Sequence, residues 1–148
     1  MTIRIVAYWL ITAFLVFNLL AGGLAELAGM EPNAEGMRLL GYPVYVMTIL
    51  GAWKVLGSAA LLAPRLPRLK EWAYAGIFFN MTGAAFSHVM SGDAAWHVVY
   101  TGTLAALTLV SWALRPQSRT LGALDLFPAR SAAPTVAPSR LAGAPAQG

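Results

Sequence analysis

The sequence predicts an all-α membrane protein built as a bundle of four transmembrane helices. The 148 residues are 58% hydrophobic and only 11% charged, whereas a soluble domain carries about 25% charged residues. Four apolar stretches each approach the ~20 residues that cross a hydrocarbon core of ~30 Å. The basic residues lie mostly beside these stretches rather than within them. We therefore expect one transmembrane domain over residues 1–115 in a lipid bilayer, followed by a disordered cytoplasmic tail over residues 116–148.

The four predicted helices are joined by one longer connection, which comes first, and by two short ones. They cover residues 5–27, 44–62, 72–90 and 96–114. The first stretch exceeds the roughly 7–15 apolar residues of a signal-peptide core, so we expect it to be retained as a helix. The last two are slightly short for a span, and Trp72 and Trp96 at their starts suit the headgroup layer.

The connections and the tail have distinct compositions. Between the first two helices, Pro32 suits the first turn of a short helix that Gly41 can end, and Met37 and Leu40 can face the membrane. We expect an amphipathic helix there on the outer surface. From Pro116 onward the chain is rich in Ala, Pro, Ser, Gly and Arg, a composition that cannot bury a core.

The distribution of basic residues predicts the orientation in the membrane. Positive residues favour the cytoplasmic side. The connections on the other side hold only Arg38, whereas the N-terminus, the second connection and the tail hold Arg4, Arg65, Arg68, Lys70, Arg115, Arg119, Arg130 and Arg140. Both termini should therefore be cytoplasmic in a multi-pass protein of the inner (plasma) membrane.

Composition also excludes several kinds of site. The chain has no cysteine, which excludes disulfides, thiolate metal sites and a cysteine nucleophile. The net charge of +4 comes from residues beside apolar segments, so it indicates topology and lipid headgroups and not nucleic acid. The sequence contains neither a phosphate-binding glycine loop nor a GxSxG motif.

Each predicted helix carries small or polar residues at helical spacing on one face. Such faces are what membrane helices use to pack together, and they can also line a shared cavity. Both interpretations are open from the sequence. The stripes comprise Asn18, Gly22 and Glu26; Gly51, Lys54 and Ser58; Gly76, Asn80, Ala84 and Ser87; and His97, Thr101 and Thr108.

Lys54 is the strongest candidate functional residue because it lies at the centre of a predicted span. A lysine there costs about 2.5–3.5 kcal/mol on insertion scales. Asn80 and Asn18 fall near the same depth, so the three could form a polar cluster. Glu26 could pair with Lys54 if the lysine extends outward along its stem, or it could be solvated at the interface. Lys54 is either a structural residue or a base or ligand-binding group.

His88 is the second candidate, at the outer end of the third helix near His97 and Asp93. We expect either a proton-handling or ligand-contacting histidine or an interfacial one with an ordinary hydrogen bond. The sequence has neither HExxH nor a pair of histidines spaced along one helix, so we assign no metal. The predicted ligand-binding residues are Glu26, Lys54, Asn80 and His88.

Two segments resemble the DoxX-like family of small bacterial four-helix membrane proteins. They are GYPVYVMTILGAWKVLG at residues 41–57 and PRLKEWAYAGIFFNMTGAAFSHVMSGD at residues 67–93. The resemblance covers residues 5–115. It implies a link to membrane quinol-oxidising or thiosulfate-oxidising complexes, to oxidative stress or to membrane-protein assembly. The cofactor is left open, with quinone as a candidate. Family members often carry lysine near the end of helix one, where this chain has Glu26.

Three functional hypotheses follow. The first is a binding or accessory subunit that holds a small hydrophobic or quinone-like ligand, or a partner helix, in an intramembrane polar cavity. Its partners would be a membrane redox complex or further copies of the chain. The alternative is a small membrane enzyme that uses Lys54 or His88 as general acid or base on a lipophilic substrate. The third, proton-coupled transport, needs an oligomer because four short helices leave little room for alternating access.

Overall fold

The computed structural model describes residues 2–121, and within that range the regular secondary structure is all helical, with no strand. This confirms the predicted all-α class. Five α-helices and one short 3₁₀ turn follow in order: α1 Ile3–Leu27, α2 Glu31–Leu39, α3 Tyr45–Leu62, α4 Pro67–Met90, α5 Ala95–Leu114 and the turn Gln117–Arg119.

Three of these helices, α1, α3 and α5, are long and apolar enough to cross a membrane. The helix α4 has 24 residues but is less apolar, because it includes Arg68, Lys70 and Glu71 near its start and Asn80 and His88 further along. Of the four predicted spans, three therefore meet the criteria of length and composition within residues 2–121.

The four long helices form a bundle in which each packs against two neighbours. The order around the bundle is α1, α3, α4 and α5, and the closest packing is between α4 and α5 and between α1 and α3. We call the end where α1 begins and α5 ends the termini end; there Arg4 donates to the carbonyl oxygen of Ala113 at 3.2 Å. The opposite end, where α1 ends and α5 begins, is the far end.

All four long helices contribute to the apolar core. Its buried side chains come from two successive turns of α1 and from the last turn of α3. The others come from the middle of α4 and the middle of α5. Together they are Leu15, Val16, Leu19, Leu61, Tyr74, Ile77, Met81, Leu104 and Ala105. Leu61 is the one member of this group that comes from α3, and α3 packs less closely on α4 than on α1.

The predicted short helix between the first two spans is present as α2. Pro32 lies in its first turn, as expected. It ends where Gly41 adopts φ +78° and the N–H of Tyr42 donates to the carbonyl of Met37 at 2.9 Å, which is the capping pattern that requires a left-handed residue after the helix. α2 contacts α1 and α3.

The third long helix begins earlier than predicted, at Pro67 and not near residue 72. Proline is well tolerated in the first turn of a helix, because the N–H it lacks would have no helical partner there. Arg68 and Lys70, which we expected in a loop, therefore belong to α4, and Lys70 is buried.

The start of the predicted tail is described as far as Leu121. Gln117–Arg119 form a 3₁₀ turn, and Arg119 donates from Nη1 to the carbonyl of Leu61 at 2.9 Å. Its guanidinium lies over the ring of Trp9, 4.5 Å from the centroid. The rest of the tail, residues 122–148, lies outside the described residues.

Candidate functional site

The site is built on a close approach of α1 and α3 at two glycines. A Cβ placed on Gly51 would lie 2.8 Å from the carbonyl oxygen of Gly23, and one placed on Gly23 would lie 3.0 Å from Cβ of Lys54. Only glycine permits the two backbones to come so near. Each glycine also faces one member of a charged pair, because Gly23 lies against Cβ of Lys54 on α3 and Gly51 lies against Cβ of Glu26 on α1. The glycine contact therefore brings these two side chains together.

Glu26 and Lys54 form a direct ion pair, in which Nζ of Lys54 donates to Oε1 of Glu26. The side chains are only 6% and 15% exposed, respectively. The second oxygen, Oε2 of Glu26, is buried without a hydrogen-bond partner among the described residues. The alternative of a solvated Glu26 is thereby excluded, and the carboxylate retains an unused acceptor next to the lysine.

A cavity of about 410 Å³ opens between α3 and α4, beside this ion pair. Its walls are mainly apolar. Its lining includes one charged side chain, Lys54, and one amide side chain, Asn80. The lining residues are Leu19, Leu50, Trp53, Lys54, Leu56, Gly57, Ala60, Leu69, Trp72, Ala73, Gly76, Ile77 and Asn80. Trp53 and Trp72 are 65% and 80% exposed on the outside of the bundle, so the cavity has its mouth on the face that lipid would cover.

The structure brings together two members of the predicted polar cluster and leaves the third apart. Lys54 and Asn80 line the same cavity, but Asn18 lies outside it. The amide nitrogen of Asn18 donates to the carbonyl of Phe14 at 2.8 Å, and its Oδ1 accepts from the hydroxyl of Tyr100 at 2.9 Å. Asn18 therefore links α1 to α5 on another side of the bundle.

His88 also lies outside the cavity, at the far end, in a group with Asp93 and His97. Nδ1 of His88 is 2.7 Å and Nδ1 of His97 is 2.9 Å from Oδ2 of Asp93. The pKa of the Asp93 carboxyl is lowered, chiefly because the backbone N–H of Ala94 donates to it and further because His88 does. The three side chains offer the ligand atoms that a metal ion would need, all within 4.8 Å of one another.

Sequence reasoning missed a second buried lysine, Lys70 at the termini end. It is 1% exposed, and its Nζ donates to the carbonyls of Ala60 at 2.9 Å, of Leu61 at 3.0 Å and of Ala63. These are among the last carbonyls of α3, which have no partner within their own helix, and a cation there also interacts favourably with the helix dipole. Lys70 lies three residues after Pro67, and a proline favours the first turn of a helix. That position was the one sign in the sequence that Lys70 belongs to a helix.

The termini end holds two further polar networks. Oε1 of Glu71 forms an ion pair with Nη1 of Arg115 at 2.8 Å, and Oε2 accepts from Nε1 of Trp112 at 2.8 Å, which ties α4 to the end of α5. Deeper in the bundle, the hydroxyl of Ser111 is 2.8 Å from that of Thr12 and 2.9 Å from that of Tyr74. These networks connect helices to one another and do not border the α3–α4 cavity.

Comparison with known proteins identifies the type of molecule. Residues 10–111 match the model of the DoxX-like family, which covers most of the helical bundle and includes Glu26, Lys54, Asn80 and His88. No curated protein and no solved structure matches the chain. The family match and the three apolar helices together indicate a membrane protein.

Proposed function

Because the chain belongs to the DoxX-like family, we propose that it is an integral membrane protein that binds a small hydrophobic ligand in the α3–α4 cavity. The observation that carries the proposal is an apolar cavity of about 410 Å³ with Lys54 and Asn80 in its lining. Ligand sites in proteins typically measure about 300–1,000 Å³ and combine apolar walls with a few polar groups.

We propose the membrane arrangement that the sequence predicts, with α4 as the fourth span and α2 on the outer surface of a bacterial inner membrane. Supporting this, the 24 residues of α4 extend about 36 Å at 1.5 Å per residue, and α4 packs against two of the spanning helices. The basic residues that gather at the termini end, including Arg4, Arg68, Arg115 and Arg119, favour a cytoplasmic location for that end.

The cavity favours a ligand with an apolar body and one or two carbonyl or hydroxyl oxygens, such as a quinone. The ammonium group of Lys54 has hydrogens beyond the one that it gives to Glu26, and the amide of Asn80 both donates and accepts. Trp53 and Trp72 supply aromatic surface at the mouth. A ligand could enter sideways from the lipid because both indoles are on the outside of the bundle.

We propose a binding or accessory role, within a membrane redox complex, in preference to catalysis by Lys54. Lys54 is the one ionisable side chain in the lining of this cavity, and it is already paired with Glu26. Nζ of Lys54 donates to Oε1 of Glu26, and this arrangement suits hydrogen bonding to a ligand better than action as a free base. His88, the other catalytic candidate, lies outside the cavity.

The experiment is ligand binding to the full chain in lipid nanodiscs, read from quenching of tryptophan fluorescence by a short-chain quinone. We expect saturable quenching in the native protein and about tenfold weaker binding in Asn80→Leu, since one hydrogen bond in an apolar site is worth about 1.4 kcal/mol. Asn18→Leu is the matched control, because it makes the same substitution in an amide outside the cavity, and its affinity should be unchanged.

Two results would overturn the proposal. One is equal quenching in the native protein, Asn80→Leu and Asn18→Leu, which would mean that the quinone reaches the tryptophans from lipid without entering a site. The other is native protein that neither binds the quinone nor retains any lipid or quinone detectable by mass spectrometry after purification in detergent.

A further inference from the structure

The far end of the bundle brings together three side chains that come from two helices and the turn between them. His88 lies in the last turn of α4, Asp93 in the turn and His97 in the first turn of α5. Their ligand atoms lie within 4.8 Å of one another. The imidazole rings are nearly parallel, with an interplanar angle of 11° and centroids 4.9 Å apart. Both rings direct Nδ1 toward the same carboxylate.

Hydrogen bonds alone leave this arrangement incomplete. The oxygen Oδ2 of Asp93 faces both ring nitrogens, at 2.7 and 2.9 Å, but only His88 is hydrogen bonded to it. Nδ1 of His97 is buried and has no hydrogen-bond partner among the described residues. A buried polar atom without a partner costs free energy and calls for an explanation, such as an ion that the atom would ligate.

We propose that His88, Asp93 and His97 bind a divalent transition-metal ion of the Zn²⁺ class. Two imidazole nitrogens and one carboxylate are a donor set that suits Zn²⁺ and neighbouring divalent ions such as Co²⁺ and Ni²⁺. Mg²⁺ and Ca²⁺ prefer an all-oxygen shell. The metal would accept the lone pair of Nδ1 of His97, which nothing else in the described structure uses.

The turn between α4 and α5 holds the carboxylate in place for this role. Gly92 adopts φ +64°, and the N–H of Asp93 donates to the carbonyl of His88 at 3.0 Å. The other carboxylate oxygen, Oδ1, accepts the N–H of Ala94 at 2.7 Å. Such a second partner orients a ligand and leaves its remaining oxygen directed toward the ion.

The site is accessible and has room for a further ligand. The three side chains are 15–34% exposed, so an ion can reach them from water. Three protein ligands leave at least one coordination position for water or another molecule, as in zinc sites that are not purely structural. The ion would also link the end of α4 to the start of α5 and stabilise the folded bundle.

The test is Zn²⁺ binding by the full chain in detergent, purified with a histidine-free tag, stripped with EDTA and measured by isothermal titration calorimetry. We expect one Zn²⁺ per chain, with Mg²⁺ at the same concentration giving no signal. Asp93→Asn should weaken binding at least ~10-fold, because even outer-shell changes at metal sites cost 10–100-fold, and it keeps an oxygen for the Ala94 N–H. His97→Gln should weaken it at least as much.

Glu35→Gln is the matched control for Asp93→Asn, since it removes an exposed carboxylate from α2, and it should bind Zn²⁺ like the native chain. Circular dichroism establishes that each variant is folded before titration. Co²⁺ gives a second readout, because its visible absorption reports the ligand set directly. Folded native protein without Zn²⁺ binding, or binding that Asp93→Asn and His97→Gln leave unchanged, would overturn the proposal.

Discussion

Lys54 and Lys70 are both buried in the helical bundle, but their partners differ in kind. Lys70 donates to three backbone carbonyls at the end of α3, so every hydrogen of its ammonium group has a fixed acceptor. Within residues 2–121, the side chain of Lys54 has one hydrogen-bond partner, the carboxylate of Glu26, and it borders a cavity. The comparison indicates that Lys70 holds the helices together, whereas Lys54 keeps hydrogen-bonding capacity that a ligand can use.

Substitution of Lys54 by methionine should have the largest effect on stability, because it leaves the Glu26 carboxylate buried and unpaired. Loss of one partner from a buried ion pair costs about 3–5 kcal/mol. The free energy of unfolding in mixed micelles should fall by about that amount. The double variant Lys54→Met/Glu26→Gln should recover a substantial part of the loss, because no charge is then stranded.

The double variant also tests whether Glu26 is charged and buried in the folded protein. If it were no more stable than Lys54→Met alone, Glu26 would not be charged and buried in the folded protein, and the contrast with Lys70 would lose its basis. Both variants should lose quinone binding, since neither has the ammonium group in the cavity.

The next largest effect should come from Lys70→Met, at about 2 kcal/mol, because carbonyls at the end of α3 lose a charged donor. The loss is limited because the Leu61 carbonyl also accepts from Arg119. Unlike Lys54→Met, this variant should not be rescued by changing any other side chain, since its acceptors are backbone atoms. Its affinity for the quinone should equal that of the native protein.

Arg68→Met is the control for Lys70→Met, as Arg68 is an exposed basic residue in the same turn of α4. Exposed substitutions usually change stability by no more than ~0.5 kcal/mol. Equal losses in the two variants would show that Lys70 contributes only its charge near the membrane surface and not its bonds to α3.

The contrast also explains what the sequence could and could not predict. Lys54 was identifiable because it interrupts an apolar stretch, and the cost of a charge at that depth demands a partner or a function. Lys70 lies among Arg65, Arg68 and Glu71 in a short segment with two prolines, which is the composition of a loop. Its burial depends on where α3 ends in space, and no local pattern encodes that.

The same limit applies to the polar cluster. Helical spacing predicts Lys54 and Asn80 near the same depth, and the two line one cavity, but depth does not fix direction around the helix axis. Asn18 was assigned to the cluster on depth, yet it faces Tyr100 on α5. The cavity arises because α3 and α4 pack less closely than α1 and α3, and the close pair depends on Gly23 and Gly51 meeting across two helices that are distant in sequence.

A smaller effect is expected from Gly51→Ala, which tests how the ion pair is positioned. The added methyl would lie 2.8 Å from the carbonyl of Gly23, so α1 and α3 must separate, and overpacking of this kind costs about 1–3 kcal/mol. The Glu26–Lys54 contact should loosen as a result, and quinone affinity should change. Lys70 lies at the other end of α3, so its bonds should persist.

Gly22→Ala is the control for Gly51→Ala, because a methyl group at Gly22 meets nothing within 4 Å. Alanine favours the helix over glycine by roughly 0.5–1 kcal/mol, so this variant should be as stable as the native protein or slightly more stable. A destabilised Gly22→Ala together with a neutral Gly51→Ala would mean that α1 presents a different face to α3.

The smallest effect should come from Ser111→Ala. Like Lys70, Ser111 has its hydrogen-bond partners within the protein. The Ser111 hydroxyl lies 2.8 Å from that of Thr12 and 2.9 Å from that of Tyr74, and a hydrogen bond of this kind contributes about 1 kcal/mol net. The variant should lose about that much stability, whereas Ser91→Ala, at an exposed position, should lose none.

Quinone affinity should be unchanged in both, because polar groups that are fully bonded within the protein have nothing to offer a ligand. A Ser111→Ala variant with weakened quinone binding would mean that the Ser111 network is coupled to the cavity and that the distinction between the two lysines is one of position only.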